Sequence, residues 1–235
     1  MSKMTDKQQD SIWIRWSFYI IGIMALAFGI SLMIKAKDLG IGPWDVFHYG
    51  LYLQFGLTVG TWSILAGLVI VTISCVAMKM WPKIGTILNM VFVGVFIDIF
   101  LFILPDPGPI WMDILTLIVG LVVCGYGVGL YVAANLGAGP RDSLMLFLTE
   151  KFGWKVQWVR SGIEVFVLIT GYLLGGPVGV GTIVASLALG PIVGYTLPQS
   201  KRWIEHVQWR RKRSENFNQG EIRFNHYDCT GEESR

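Results

Sequence analysis

The sequence is poor in charge for its length. Asp, Glu, Lys and Arg together make up 15% of its 235 residues, whereas a soluble globular domain carries roughly 25%. Most of the charge lies near the two ends and in a few short connections. This composition excludes an ordinary soluble domain, and the 53% share of hydrophobic residues favours a membrane protein.

Cysteine and histidine are also scarce, with three of each. Cys75 and Cys124 fall in apolar stretches and Cys229 lies near the end, so their spacing gives neither a disulfide framework nor a metal site. The sequence has no HExxH, no GxSxG and no pair of aspartates at a recognisable catalytic spacing. We therefore expect no enzyme activity, no cofactor and no bound metal.

The sequence is rich instead in apolar runs close to 20 residues long, the length that crosses a hydrocarbon core about 30 Å thick. These runs lie at 13–34, 61–78, 84–104, 112–134, 156–174 and 179–197. They predict an all-α, polytopic protein that crosses a cell membrane several times.

An internal repeat organises these runs. LGIGPWD at 39–45 matches LGAGPRD at 136–142 at an offset of 97 residues, and IGTIL at 84–88 matches VGTIV at 180–184 at an offset of 96. FGISL at 28–32 matches YGVGL at 126–130 at an offset of 98. Matching blocks in the same order indicate a duplicated unit. The predicted organisation is an N-terminal tail at 1–12, repeats at 13–104 and 112–199, an external loop at 105–111 and a tail at 200–235.

Each repeat also has a short segment after its heptapeptide, at 43–55 and 140–152. Thirteen helical residues extend only about 20 Å, too little to cross. With the N-terminus in the cytoplasm, six spans place five basic residues of the connections inside and two outside, and eight spans reverse this. The positive-inside rule favours six spans. Three spans per repeat make the repeats inverted, as in many secondary transporters.

The repeated GxGPxD turn is a helix-start signal. Its residues are Gly40, Gly42 and Pro43 in the first copy and Gly137, Gly139 and Pro140 in the second. Proline suits the first helical position, and Asp45 or Asp142 then falls at the third, where a carboxylate meets unpaired N–H groups. Each Asp is therefore either a cap alone or, if the short helix is re-entrant rather than interfacial, a group that accepts a proton or cation.

Four other polar residues of the predicted spans are candidates for a functional role. Asp98 is late in its span, where a functional and an interfacial role are both open. Arg160 and Glu164 are four residues apart on one helix and can neutralise each other, or they can face a cavity and bind a ligand. Asn89 is interpreted as an interhelical hydrogen bond, with ligand binding as the alternative.

The tail is strongly basic next to the last span. Six of the residues from 201 to 213 are Lys or Arg, beginning with Lys201 and ending with Arg213. Such a stretch keeps the C-terminus in the cytoplasm and attracts anionic lipid headgroups, and it is too short and too close to the membrane to favour nucleic acid. The rest of the tail is predicted to be largely disordered. Self-association into a homo-oligomer is compatible with this organisation.

Two motifs together resemble those of a known family. LGxGPxD after the first span and GTxxN…G…D in a later span resemble the bacterial YczE/YyaS/YitT membrane proteins, with the YczE branch most similar, over about residues 13–200. The second motif consists here of Gly85, Thr86, Asn89, Gly94 and Asp98. The resemblance implies a bacterial cytoplasmic membrane but no substrate. The second repeat departs from the motif, with Ala185 and Gly194 in place of Asn and Asp.

The hypothesis that these features favour is a transporter or permease for a small solute or ion, working by alternating access between inverted repeats. The alternative is a non-transporting accessory or regulatory membrane protein that acts through its tail. Fold analogy does not decide between them. The residues assigned to the solute or ion pathway are Asp45, Asp142, Asp98, Glu164, Arg160 and Asn89.

Overall fold

The computed structural model describes residues 6–79, 81–137, 139, 148, 151–153 and 156–228, and within these ranges it is helical, without strands. Pro140 and Asp142, two of the predicted site residues, lie outside the described residues. The described helices are α1 (Asp6–Lys35), α2 (Pro43–Phe55), α3 (Val59–Met78), α4 (Ile84–Ile103), α5 (Ile110–Ala133), α6 (Val156–Leu173) and α7 (Val180–Asp228).

Five of these helices are long and apolar enough to cross a membrane. The candidate spans are Ile12–Lys35, Val59–Val76, Ile84–Ile103, Ile110–Ala133 and Val180–Arg211. The structure therefore confirms the prediction of an all-helical membrane protein with several apolar helices. The predicted sixth span corresponds to α6, which is less apolar because it contains Arg160 and Glu164. Its crossing of the membrane stays a prediction.

The centre of the bundle is the pair α1 and α5. The two helices run antiparallel, because Gly22 on α1 contacts the backbone near Gly127, while Gly29 lies beside Gly120. Small residues let helix backbones approach this closely, as is common in membranes. α4 packs against α1, and α7 packs against α5. The two pairs are each formed by the first and last spans of one predicted repeat.

The end of α1 and the start of α3 both lie at the C-terminal end of α4. Lys35, the last residue of α1, bonds through Nζ to Oδ1 of Asp106, just beyond α4, at 2.7 Å. The amide of Gly60, in the first turn of α3, donates to Oδ1 of Asp98 on α4 at 2.8 Å. The intervening helix α2 therefore begins and ends at the same end of the bundle.

α2 enters the bundle with its first half and leaves with its second. Asp45, Val46 and His48 are buried, whereas Leu53 and Phe55 near the end are exposed. The helix packs along α6 and is fixed at its end by a hydrogen bond from Gln54 Nε2 to the Leu174 carbonyl at 3.0 Å. The first turns of α2 are therefore enclosed by the bundle, whereas its last turn lies at the surface.

The last helix departs from the sequence prediction in two ways. Where the part of the tail after Arg213 is predicted to be largely disordered, α7 continues to Asp228, and its Lys, Arg, Glu and Gln residues are good helix formers. The spacing of Gly190 and Gly194, four residues apart, is typical of close helix packing in membranes, but a Cβ at either position meets no atom within 4 Å. Their face of α7 is directed away from the described bundle.

Candidate functional site

A cavity of about 330 Å³ lies at the centre of the bundle. Residues of α1, α4, α5, α6 and α7, together with the start of α2, form its wall. Four of the six predicted pathway residues line it, namely Asp45, Asn89, Arg160 and Glu164. Gly42, Pro43 and Gly139 of the predicted turns line it as well. Predicted site residues that are widely separated along the chain therefore line the same cavity.

The cavity wall is built from equivalent positions of the two repeats. At the offsets that relate the repeats in the sequence, six pairs of lining residues correspond. The pairs are Leu26 and Cys124, Ile30 and Val128, Met33 and Tyr131, Gly42 and Gly139, Asn89 and Ala185, and Val93 and Leu189. A cavity lined this way lies between the two repeats rather than inside one of them.

The charged pair in the wall belongs to the second repeat alone. Arg160 Nε bonds to Glu164 Oε1 at 3.0 Å, which confirms the predicted pairing of these side chains. Ser63 and Gly67 occupy the equivalent positions of the first repeat at an offset of 97. Arg160 is about half exposed and Glu164 about a quarter exposed. The sequence left two alternatives for Arg160 and Glu164, mutual pairing or a position facing a cavity. The structure shows both, because the two side chains pair and both line the cavity.

Asn89 lines the cavity from α4 and lies beside Tyr19 of α1. Its Nδ2 is buried. The Tyr19 hydroxyl donates to the Gly85 carbonyl, and its lone pairs can accept from the Asn89 side chain. This contact between α1 and α4 agrees with the interhelical role that the sequence favours for Asn89.

Asp45 lies at the third position of α2, directly after Pro43 at the first. The carboxylate is buried and folds back over Gly42, where a Cβ would be 2.8 Å from Oδ2. The same carboxylate forms part of the cavity wall. His48 is buried one turn further along beside the rings of Trp44 and Phe47.

Asp98, the remaining described pathway residue, does not line the cavity. Its Oδ1 accepts from the Gly60 amide at 2.8 Å, and its Oδ2 accepts from the Thr58 hydroxyl at 2.5 Å. Both partners lie at the start of α3, where unpaired N–H groups and the helix dipole favour a carboxylate. Asp98 thus joins α4 to the start of α3, a role that the sequence position alone does not indicate.

The first two residues of each heptapeptide dock against the other repeat. A Cβ at Gly40 would lie 2.4 Å from the Gly179 amide, and one at Gly137 would lie 2.7 Å from the Thr86 amide. The contacts are equivalent, because Gly40 corresponds to Gly137 and Thr86 to Thr182, which also touches Gly40. The first two residues of each heptapeptide therefore pack on the start of the last helix of the opposite repeat.

Two charged contacts lie at the end of the bundle where α1 stops. The Lys35 ammonium lowers the pKa of the Asp106 carboxyl by hydrogen bonding and by charge attraction. The hydrogen bond from Lys37 Nζ to the Tyr49 hydroxyl, at 3.3 Å, raises the pKa of Lys37. These contacts fix the α1–α2 connection and the loop after α4, outside the cavity.

Sequence reasoning missed several residues of the cavity wall. Trp44, Tyr131 and Ser186 supply its remaining polar and aromatic side chains. Tyr131 corresponds to Met33 of the first repeat, and both line the cavity. The repeat offset in the sequence could therefore have identified Tyr131 as a residue equivalent to Met33. Within the described residues, no group of three or more His, Cys, Asp or Glu is placed to hold a metal ion.

Comparison with known proteins gives one family and several relatives. The family described as "Family of unknown function (DUF6198)" matches residues 13–198. "Uncharacterized membrane protein YczE" of Bacillus subtilis (strain 168) is 52% identical over 203 residues, which cover 86% of this chain and 94% of the relative. An "Uncharacterized protein" of Haemophilus influenzae (strain ATCC 51907 / DSM 11121 / KW20 / Rd) is 32% identical over 83% and 92% of the two chains.

A third relative is more distant. "Uncharacterized protein YyaS" of Bacillus subtilis (strain 168) is 26% identical over 80% of this chain and 94% of its own. No solved structure matches the chain. The resemblance to the YczE and YyaS proteins inferred from the two motifs is confirmed by these matches.

Proposed function

The chain belongs to the DUF6198 family, and we propose that it transports a small solute across the bacterial cytoplasmic membrane through its central cavity. The proposed role is non-enzymatic. The observation that carries it is the position of the cavity, because its wall is formed by six pairs of equivalent residues from the two repeats. Secondary transporters built from inverted repeats bind their solute at such an interface.

Inversion of the repeats is the second part of the proposal. The antiparallel packing of α1 on α5 supports it, since these helices are the first spans of the two repeats. The return of α2 to the end of the bundle from which it starts supports three spans per repeat. With α6 as the sixth span, both ends of the chain lie in the cytoplasm, as the basic residues of the connections require.

The exchanged contacts between the repeats suggest how access alternates. The heptapeptide of each repeat packs on the last helix of the other repeat, through Gly40 against Gly179 and Gly137 against Gly85 and Thr86. Because the repeats are inverted, rocking of one repeat against the other loosens one of these contacts while it tightens the other. The cavity between them then opens to one side while it closes to the other.

The test is solute flux in proteoliposomes that contain the purified protein. Asp45→Asn removes a buried carboxylate from the cavity wall, and the matched control Asp38→Asn makes the same change at an exposed position seven residues earlier. We expect Asp45→Asn to lower flux at least tenfold and Asp38→Asn to leave it unchanged. Equal flux through both variants, with both folded, would contradict the proposal.

A tail truncation separates transport from an accessory role. A chain that ends at Ser200 keeps every described residue of the cavity wall. Transport predicts that this variant retains flux, and that the Asp45→Asn variant of the full chain loses the cellular phenotype. Loss of the phenotype on truncation alone, with Asp45→Asn fully active in cells, would favour the accessory function.

A further inference from the structure

We infer, on the premise of the proposed transport function, that α6 swings toward α7 and closes the cavity on the side between these two helices. The two repeats hold the same helices in different arrangements. In the first repeat α3 packs along α4, whereas within the described residues its counterpart α6 packs along α2 and not along α7. The first repeat therefore shows the packing that α6 and α7 adopt on closure.

The face of α7 that receives α6 on closure is open in the structure. Gly190 is exposed, and among the described residues no atom lies within 4 Å of a Cβ placed there. Its counterpart Gly94 on α4 is buried, and a Cβ there would lie 2.5 Å from Cγ1 of Ile64 on α3. One turn earlier, Met90 on α4 is buried, whereas its counterpart Ser186 on α7 is exposed. The face that α3 covers in the first repeat is thus uncovered in the second.

Only the first repeat has a side chain that holds this packing together. Asp98 on α4 accepts hydrogen bonds from the Thr58 hydroxyl and from the Gly60 amide at the start of α3. Gly194 occupies the position of Asp98 in the second repeat and has no side chain to form such bonds. Because α6 lacks the bonds that fix α3, its approach to α7 and its separation from α7 break no bond of this kind.

The C-terminal end of α6 is held in place, which leaves its N-terminal half as the part that moves. A Cβ at Gly171 would lie 2.6 Å from the Phe47 amide nitrogen of α2, and the Leu174 carbonyl accepts from Gln54 Nε2 at 3.0 Å. Gly175 follows with a φ of +87°, which glycine adopts readily. In the proposed six-span arrangement this end lies outside, so α6 opens and closes the cavity toward the cytoplasm.

The space between α6 and α7 leads into the cavity. Arg160 and Glu164 line the cavity from α6, and Ser186 lines it from α7. Arg160 is about half exposed and Ser186 is exposed as well, so the cavity reaches the surface where these two helices face each other. Movement of α6 onto α7 covers Ser186 and encloses a bound solute, as hinge closure does in other proteins that surround their ligands.

The first test is disulfide cross-linking in the full-length protein without its three native cysteines. Ser161→Cys and Gly190→Cys place two thiols at the counterparts of Ile64 and Gly94, which touch in the first repeat. A disulfide needs Cβ atoms about 3.5–4.5 Å apart, a distance that α6 and α7 reach only on closure. We expect mild oxidation to join the two thiols within one chain.

The control pair moves the thiol of α6 to another face of the helix. Phe166→Cys is combined with Gly190→Cys, and the counterpart of Phe166, Val69, is exposed rather than packed on α4. Its yield should be about tenfold lower or less, because these thiols do not reach disulfide geometry. Equal yields of the two pairs would overturn the inference. A cross-link between two chains would also overturn it, because a second copy would then cover α7.

The second test measures the separation of α6 and α7 directly. Spin labels at Phe166→Cys and Tyr195→Cys, both exposed positions, report the distance by pulsed electron paramagnetic resonance. We expect two distances, of which Gly190→Leu removes the shorter, because its side chain fills the space that α6 enters. The control Gly162→Leu should keep both, since its counterpart Leu65 is exposed in the first repeat. A single distance, or the same result in both variants, would contradict closure.

Closure and transport fail separately in these measurements. Equal flux through the Asp45→Asn and Asp38→Asn variants, together with two distances, would remove transport and leave the moving helix. A flux loss in Asp45→Asn with a single distance would keep transport and remove the movement of α6. Two distances, with flux lowered by both Asp45→Asn and Gly190→Leu, would support the two proposals together.

Discussion

Gly29 of α1 and Gly120 of α5 lie with their backbones in direct contact. A Cβ added at Gly29 would be 2.7 Å from the Gly120 carbonyl oxygen, and one added at Gly120 would be 2.9 Å from the Gly29 carbonyl oxygen. Gly22 and Gly127 repeat this contact, and they are the counterparts of Gly120 and Gly29 at the offset of 98. The contact is therefore reciprocal between the repeats.

Gly29→Ala should destabilise the protein strongly for this reason. The new Cβ meets backbone atoms of Gly120 and Cys124, which cannot move without separating the helices. Overpacking of this kind costs about 1–3 kcal/mol, so thermal unfolding in detergent should begin several degrees lower. The matched control is Gly190→Ala, where a Cβ meets no atom within 4 Å. Equal stability of the two variants would contradict the packing described.

The heptapeptide glycines give a second prediction. Gly40→Ala and Gly137→Ala should both lower the unfolding temperature, because each Cβ meets a backbone amide of the opposite repeat. Gly40→Ala should be the more severe, since Gly40 also has a φ of +93° that an L-residue tolerates poorly. Gly108→Ala is the control in open space. A loss of stability at Gly40 alone would show that only its backbone conformation matters, and that the contacts are not equivalent.

Substitution of Asp98 should lower stability, whereas substitution of Asp45 should lower solute flux. Asp98→Asn weakens the bonds to Thr58 and to the Gly60 amide, so we expect lower stability and unchanged solute affinity per folded molecule. The cost should be about 1–2 kcal/mol, as for loss of a helix cap. A double-mutant cycle with Thr58→Val should show coupling between the two side chains. A change in solute affinity without a change in stability would place Asp98 in the pathway after all.

The Lys35–Asp106 pair predicts a small dependence of stability on acid pH. Lys35 lowers the pKa of Asp106, so the pair stabilises the fold fully above the ordinary Asp value of about 4. This stabilisation is lost as the pH falls through the lowered pKa. The wild-type protein should therefore lose more stability than Asp106→Asn between pH 6 and pH 3. A parallel loss in both proteins, measured by thermal unfolding, would show that the pair does not contribute.

The repeated unit and the membrane class could be predicted because both depend on local sequence. Apolar length and the offset of LGxGPxD are visible without any contact. The cavity could be predicted only in part, because its wall depends on which helix faces meet. Asn89 and Asp98 look alike in sequence as polar residues of one span, yet one faces the cavity and the other binds the start of α3. The same limit explains Gly190, whose spacing from Gly194 suggests a packed face that the described bundle does not cover.

The central claim is that the two repeats cross the membrane in opposite senses around the shared cavity. Its most direct test is labelling of single cysteines in intact cells with an impermeant maleimide, after Cys75, Cys124 and Cys229 are replaced by Ala. Phe55→Cys, Trp81→Cys and Gly108→Cys place the label at exposed positions at the end of α2, before α4 and before α5. The account predicts that positions 55 and 108 react from outside and that position 81 reacts only after permeabilisation. Labelling of positions 55 and 81 from the same side would contradict it.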